Sequence, residues 1–127
     1  MNFPEGLLYS AHDEWVRVDG DLLTLGITDY AQDALGELVH VELPEVGDTV
    51  EAGEALCEVE SVKAVAEVFC PVGGEVVEIN EALDGEEELV NSDPYGAGWL
   101  VKVRFSDASD LDDLMDTASY RAKVENG

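Results

Sequence analysis

The sequence predicts a mainly β protein built as one domain, on three observations. Apolar and polar residues alternate over most of its length, Gly, Pro and Asp break that alternation at short intervals, and 127 residues suffice for one core. Hydrophobic residues make up 46% of the chain, which suits a globular domain. No apolar run approaches the roughly 18 residues that span a bilayer. The opening MNFPEGLLYS lacks a basic segment leading into an apolar one, so no secretion signal is expected and a cytoplasmic location follows.

Residues 15–18 (WVRV) and 22–27 (LLTLGI) flank Asp19-Gly20-Asp21, whose Asp-Gly pair supplies the positive φ of a tight hairpin turn. The period then changes. Residues 28–35 (TDYAQDAL) predict a short helix with Thr28 as its N-cap, Ala31, Ala34 and Leu35 inward and Gly36 past its end. Residues 37–43 (ELVHVEL) resume strand patterning, with Val39, Val41 and Leu43 on one face and His40 and Glu42 on the solvent side. Further strands are expected at 49–50, 55–60, 64–69, 75–80 and 99–105, the last with Trp99, Val101, Val103 and Phe105 inward and Lys102 and Arg104 outward. Ser109 with Asp112 imitates a capping box, and Leu111, Leu114, Met115 and Ala118 form a stripe of helical spacing, which predicts a C-terminal helix over about 109–124. The segment DGEEE at 84–88 reads as a solvated loop. A faint repeat links PEVGDTV at 44–50 with PVGGEVV at 71–77, suggesting two similar half-sheets about a pseudo-twofold axis.

Thirty Asp and Glu stand against three Lys and three Arg, a formal net charge of −24. Such a surface excludes nucleic acid, whose phosphates need a basic face, and an anionic membrane surface. Self-repulsion on this scale destabilises a compact state unless counterions screen it, so a high-salt solvent is expected. A moderately acidic protein with an acidic docking face is the alternative. Cys57 and Cys70 match no metal-ligand spacing and sit in apolar runs, where they read as small buried hydrophobes. His12 and His40 lie far from both, and no catalytic motif or metal site is expected.

Lys63 stands alone as the one lysine in the first 101 residues, near the tip of a hairpin formed by the strands around ESVKA. A lysine that acts as nucleophile or Schiff base needs burial or neighbouring cations. Lys63 has Glu60 and Glu67 nearby instead. It is therefore badly placed to catalyse and well placed to be modified by another enzyme, unless it is simply a turn lysine.

Three segments in order, GITDYAQDALGELVHVELPEVGDTVEAGE (26–54), ESVKAVAEVFCPVGGEVVEIN (60–80) and LVNSDPYGAGWLVKV (89–103), resemble the H protein of the glycine cleavage system. The likeness runs from Tyr9 to the C-terminal helix. It implies a lipoyl/biotinyl hammerhead (barrel-sandwich hybrid), a flattened sandwich of two antiparallel sheets with its core over about 22–105, and lipoate in amide linkage on Lys63. It further implies a carrier that catalyses no step itself. That carrier takes an aminomethyl group from glycine dehydrogenase (decarboxylating) to aminomethyltransferase and electrons to dihydrolipoyl dehydrogenase.

Glu60, Ser61, Val62, Ala64 and Glu67 are the flank a lipoate-attaching enzyme would recognise. Glu14 and Trp15 match the family's His-Glu-Trp segment and are candidates for a groove that shelters the arm, although Asp13 stands where the family has His, and His12 comes one residue earlier. Beyond Lys63 the family's commoner Ala-Ser-Asp becomes Val65-Ala66-Glu67, which keeps the acid and loses the hydroxyl. An H-like lipoate relay protein and a biotinyl carrier domain share this fold. A biotinyl lysine typically lies between methionines, and Met1 and Met115 are both remote.

Overall fold

A computed structural model describes residues 1–126. Nine strands form two antiparallel sheets. The larger contains β1 (Leu8–Tyr9), β2 (Glu14–Asp19), β3 (Leu22–Ile27), β5 (Thr49–Val50), β8 (Gly74–Ile79) and β9 (Val101–Phe105), in the order β1-β2-β3-β9-β8-β5. The smaller contains β4 (Leu38–Glu42), β6 (Glu54–Ser61) and β7 (Val65–Cys70), in the order β4-β6-β7. Among the described residues the α-helices are α1 (Asp29–Leu35) and α2 (Leu89–Ser92), which lie between strands, and α3 (Thr117–Asn126), which follows the last strand. None of the described helices is long and apolar enough to cross a membrane.

Most inward residues of both sheets, among them Leu23, Leu25, Val59, Val68, Val76, Val101 and Val103, merge into one core. A second, aromatic cluster of Phe3, Tyr9, Trp15, Tyr95 and Tyr120 seats α3 against the β1–β2 end, with the Tyr9 and Tyr120 rings stacked 4.6 Å apart. Trp15 pairs across the sheet with Gly26, and a Cβ at Gly26 would come within 2.6 Å of the indole, so only glycine lets the ring lie flat there. Thr28 caps α1 by accepting from Ala31 N. The same hydroxyl lies 2.8 Å from the Tyr120 hydroxyl, which donates to Asp13 Oδ1 at 2.9 Å. Asp13 adopts φ 67, the left-handed region that Asp tolerates better than most residues. Its side chain also faces Lys123 at 3.8 Å, so the aspartate where the family has histidine ties α3 to the start of α1.

The two halves of the faint repeat pair with each other: Thr49 lies opposite Glu75 and Val50 opposite Gly74. The sheets themselves are unequal, with six strands and three.

Several expectations are corrected. The C-terminal helix begins at Thr117, not near 109, because Tyr9 and Met115 exchange both backbone hydrogen bonds at 2.8 Å, holding the chain extended at Met115. Ser109 does not cap it; Asp107 accepts from Ser109 N and starts a separate 3-10 turn over Ala108–Leu111. Leu111, Leu114 and Met115 pack half-buried outside the helix, and Ala118 is exposed. Ala34 is exposed, and α1 buries no residue fully. Trp99 precedes the final strand and is half-buried beneath the Lys102 ammonium, 5.2 Å from the ring centroid. Val39 points outward because the register shifts between Leu38 and His40, which makes Leu38 the inward residue.

Candidate functional site

Lys63 lies in the three-residue link between β6 and β7, and its side chain is exposed. The link is built by Ser61, the last residue of β6. Its buried Oγ accepts from Ala64 N at 3.0 Å and from Lys63 N at 3.2 Å, while Ser61 N donates to Ala64 O at 2.8 Å. A short hydroxyl side chain at the first position of the turn therefore takes the amide donors that no strand partner satisfies. A second tether comes from outside the hairpin, where Val62 N donates to Glu37 O at 3.2 Å.

Glu37 is held in turn. Asn91, on α2, donates from Nδ2 to Gly36 O at 2.8 Å and to Gln32 Oε1 at 3.0 Å, and its Oδ1 accepts from Leu38 N at 3.0 Å. Three bonds from one amide thus lock the segment after α1, and that segment supports the tip. Gly36 has φ 84, and a Cβ placed there would come within 3.5 Å of Lys63 Cε. The lysine stem consequently passes over a glycine that also ends the helix. A cleft of about 470 Å³, lined by Gln32, Asp33, Gly36, Glu37, Glu88, Asn91 and Ser92, opens beside it.

The other basic side chains have partners. Lys102 faces Glu78 at 3.8 Å, Arg104 faces Asp21 at 3.5 Å and Lys123 faces Asp13. Arg17 lies over Trp15 and Arg121 over Phe3. Among the described residues, Lys63 is the one lysine or arginine with neither a carboxylate nor an aromatic partner.

The expected flank divides. Glu60, Val62, Ala64 and Glu67 are exposed, whereas Ser61 is turned inward and serves the turn itself. Trp15 is wholly buried, its indole N–H donating to Pro94 O at 3.0 Å, so it presents no surface to an arm; this corrects its place as a groove residue. Glu14 is also buried. Its Oε1 accepts from Ser10 Oγ at 2.7 Å and its Oε2 from Phe69 N at 2.6 Å. Loss of solvent pushes this carboxyl up to about 7, against the two hydrogen bonds, which favour the charged form. His12 is exposed with its ring 4.8 Å from Phe69. Cys57 and Cys70 are free and buried, as expected; burial raises both thiols, Cys70 to about 11, and so suppresses the reactive thiolates. Asn91 and Glu37 were not legible as site residues, because the atoms they hold belong to distant segments.

Fold and tip together define a two-sheet β domain that presents a single unengaged amine on a braced hairpin. Residues 7–127 match the family model described as glycine cleavage H-protein. The chain belongs to that family, the carrier component of the glycine cleavage system. It is 52% identical over 124 residues to the glycine cleavage system H protein of Bacteroides thetaiotaomicron, with 98% of each chain covered. It is 50% identical over 126 residues to that of Thermus thermophilus, covering 99% of this chain and 98% of the relative. A crystal structure of a glycine cleavage system H protein from Mycobacterium marinum superposes with a TM-score of 0.89 at 39% identity, over 97% of this chain and 99% of that one.

Glu14 supplies a pH prediction. Its carboxyl binds its proton more tightly in the folded chain than in the unfolded one. Its contribution to folding is therefore complete below about 4.5 and is lost as the pH rises to about 7. In urea unfolding at fixed salt, the stability of the parent relative to Glu14→Gln should fall by about 3 kcal/mol between roughly pH 4.5 and pH 8. A difference that stays constant over that range would contradict the burial of a titrating carboxyl.

Proposed function

We propose that Lys63 carries lipoate in amide linkage and that the protein is the shuttle of the glycine cleavage system in the cytoplasm. In this role it moves between glycine dehydrogenase (decarboxylating), aminomethyltransferase and dihydrolipoyl dehydrogenase. The reading rests chiefly on one observation: in a chain of charge −24, the unpaired lysine stands exposed on a turn fixed by Ser61 and Glu37. A free primary amine on an accessible tip is what an acylating enzyme requires, so the residues present fit the group. When bound, lipoate supplies a dithiolane able to accept electrons and a one-carbon amine.

This chain's own residues contribute position and insulation. The two sheets act as a mount that keeps the tip in place, and the tether raises the arm's local concentration at each partner. Burial of Cys57 and Cys70 keeps the protein's own thiols from exchanging with a disulfide on the arm.

Protein from its native host should show a lipoyl mass increment that disappears in Lys63→Arg, and the variant should support no glycine decarboxylation in the reconstituted system. An increment that survives the substitution overturns the site. A parent lipoylated on Lys63 that supports no decarboxylation overturns the glycine-cleavage role.

The acidic surface carries a second expectation, that the protein works in concentrated salt. Only three ion pairs offset the acidic excess among the described residues, and their carboxylates or ammonium groups are largely exposed. The urea midpoint should rise as KCl increases to about 2 M, well past the concentration at which the Debye length is about 3 Å. Full stability at millimolar salt would contradict a high-salt adaptation.

A further inference from the structure

We infer that the outer face of the large sheet holds a binding site for a small zwitterion, an α-amino acid, in the hollow between Arg17, Asp19 and Lys102. The cavity measures about 230 Å³ and is lined by those three residues with Leu22, Thr24 and Trp99. It belongs to the large sheet, whereas Lys63 stands on the small one, so the inference holds whether or not Lys63 is acylated.

Strand register builds the hollow. Arg17 lies opposite Thr24 and Thr24 opposite Lys102, so a guanidinium and an ammonium flank one hydroxyl across three neighbouring strands. Asp19 comes two residues after Arg17 on the same face and lies opposite Leu22, which in turn comes two residues before Thr24. Leu22 and Thr24 are half-buried, as is Trp99, whose ring lies beneath the Lys102 ammonium.

Three of the chain's six Lys and Arg side chains, Arg17, Lys102 and Arg104, fall on this face, in a protein with 30 acidic residues. Arg104 is tied to Asp21 outside the cavity. Among the described residues neither Arg17 nor Asp19 forms an ion pair, although they border the same space. Arg17 gives one N–H to Tyr95 O at 3.3 Å, which leaves most of its donors available. Lys102 meets Glu78 only at 3.8 Å, and that carboxylate is more than half exposed, so water screens the pair.

Charge selects the occupant. A simple anion must approach a protein of net charge −24 and would then lie beside the Asp19 carboxylate. A simple cation would meet two like charges. A molecule that carries both charges and no net charge avoids both penalties: its carboxylate reaches Arg17, Lys102 and the Thr24 hydroxyl, and its ammonium reaches Asp19. Leu22 and the Trp99 indole are left to cover an apolar side chain. The volume lies below the roughly 300 Å³ at which drug-sized ligands begin to fit, which limits the occupant to amino-acid size.

The test is an NMR titration of the isotope-labelled full chain at fixed KCl with L-leucine, glycine, acetate and methylammonium, followed at the Trp99 indole N–H and the Thr24 and Lys102 amides. L-Leucine should give saturable shifts at all three and bind roughly tenfold tighter than glycine, whereas acetate and methylammonium should give none. Arg17→Gln and Asp19→Asn should each weaken leucine binding about tenfold or more, and Asp19→Asn should in addition admit acetate. Arg121→Gln removes a cation of α3 that does not line the cavity and should change nothing. Unfolding midpoints verify that each variant folds.

Shifts reproduced by acetate or methylammonium on the parent overturn the zwitterion site. So does the lack of any saturable shift in leucine up to the order of 0.1 M, where even millimolar binding would be complete. An Asp19→Asn variant that binds leucine as the parent does overturns it as well.

Discussion

The hydroxyl of Ser61 is the contact on which the rest of the site depends. By accepting from the amides of Lys63 and Ala64 it closes a three-residue turn without help from the strands, and the carbonyl of Glu37 adds a tether to Val62. Neither bond is strong alone; a neutral hydrogen bond is worth about 1 kcal/mol net. Together they convert a loop that could wander into a stalk with a defined direction. The capped α1 and the amide of Asn91 support that stalk from below.

Electrostatics gives Lys63 its distinction. Every other lysine and arginine is engaged with a carboxylate or an aromatic ring among the described residues, and the bulk of the surface is acidic. A modifying enzyme that searches this surface for an amine meets one that is both exposed and unengaged. The thiols follow the opposite rule: both are withdrawn into the sheets, where burial suppresses the thiolate form. A carrier of a redox-active disulfide gains from that arrangement, since its own sulfurs stay out of the exchange chemistry.

Much of the fold was legible in local pattern. Alternation located the strands, Asp19-Gly20-Asp21 marked its hairpin, and Thr28 and Gly36 bracketed α1 as a cap and a stop. What escaped was decided by partners far away in sequence. The stripe from Leu111 to Ala118 has helical spacing, yet the bridge from Met115 to Tyr9 joins residues 106 positions apart and outweighs it. Val39 carries no sign of a bulge, because the shift arises from the way Leu38 and His40 meet Ser61 and Glu60 on the neighbouring strand. At the site, Lys63 stood out by its isolation in composition, and the turn that presents it was expected. Asn91, Glu37 and the inward role of Ser61 were not, because their meaning lies in hydrogen bonds to backbone atoms that no spacing rule brings together.

A braced tip is the physical premise of the carrier, and backbone amide relaxation measured by NMR on the unmodified protein tests it most directly. Order parameters for Val62, Lys63 and Ala64 near the roughly 0.85 of rigid backbone, matching β6 and β7, are the expected result. Values below about 0.6 at those three amides, beside ordered strands, would contradict a fixed mount and leave Lys63 on a floppy loop.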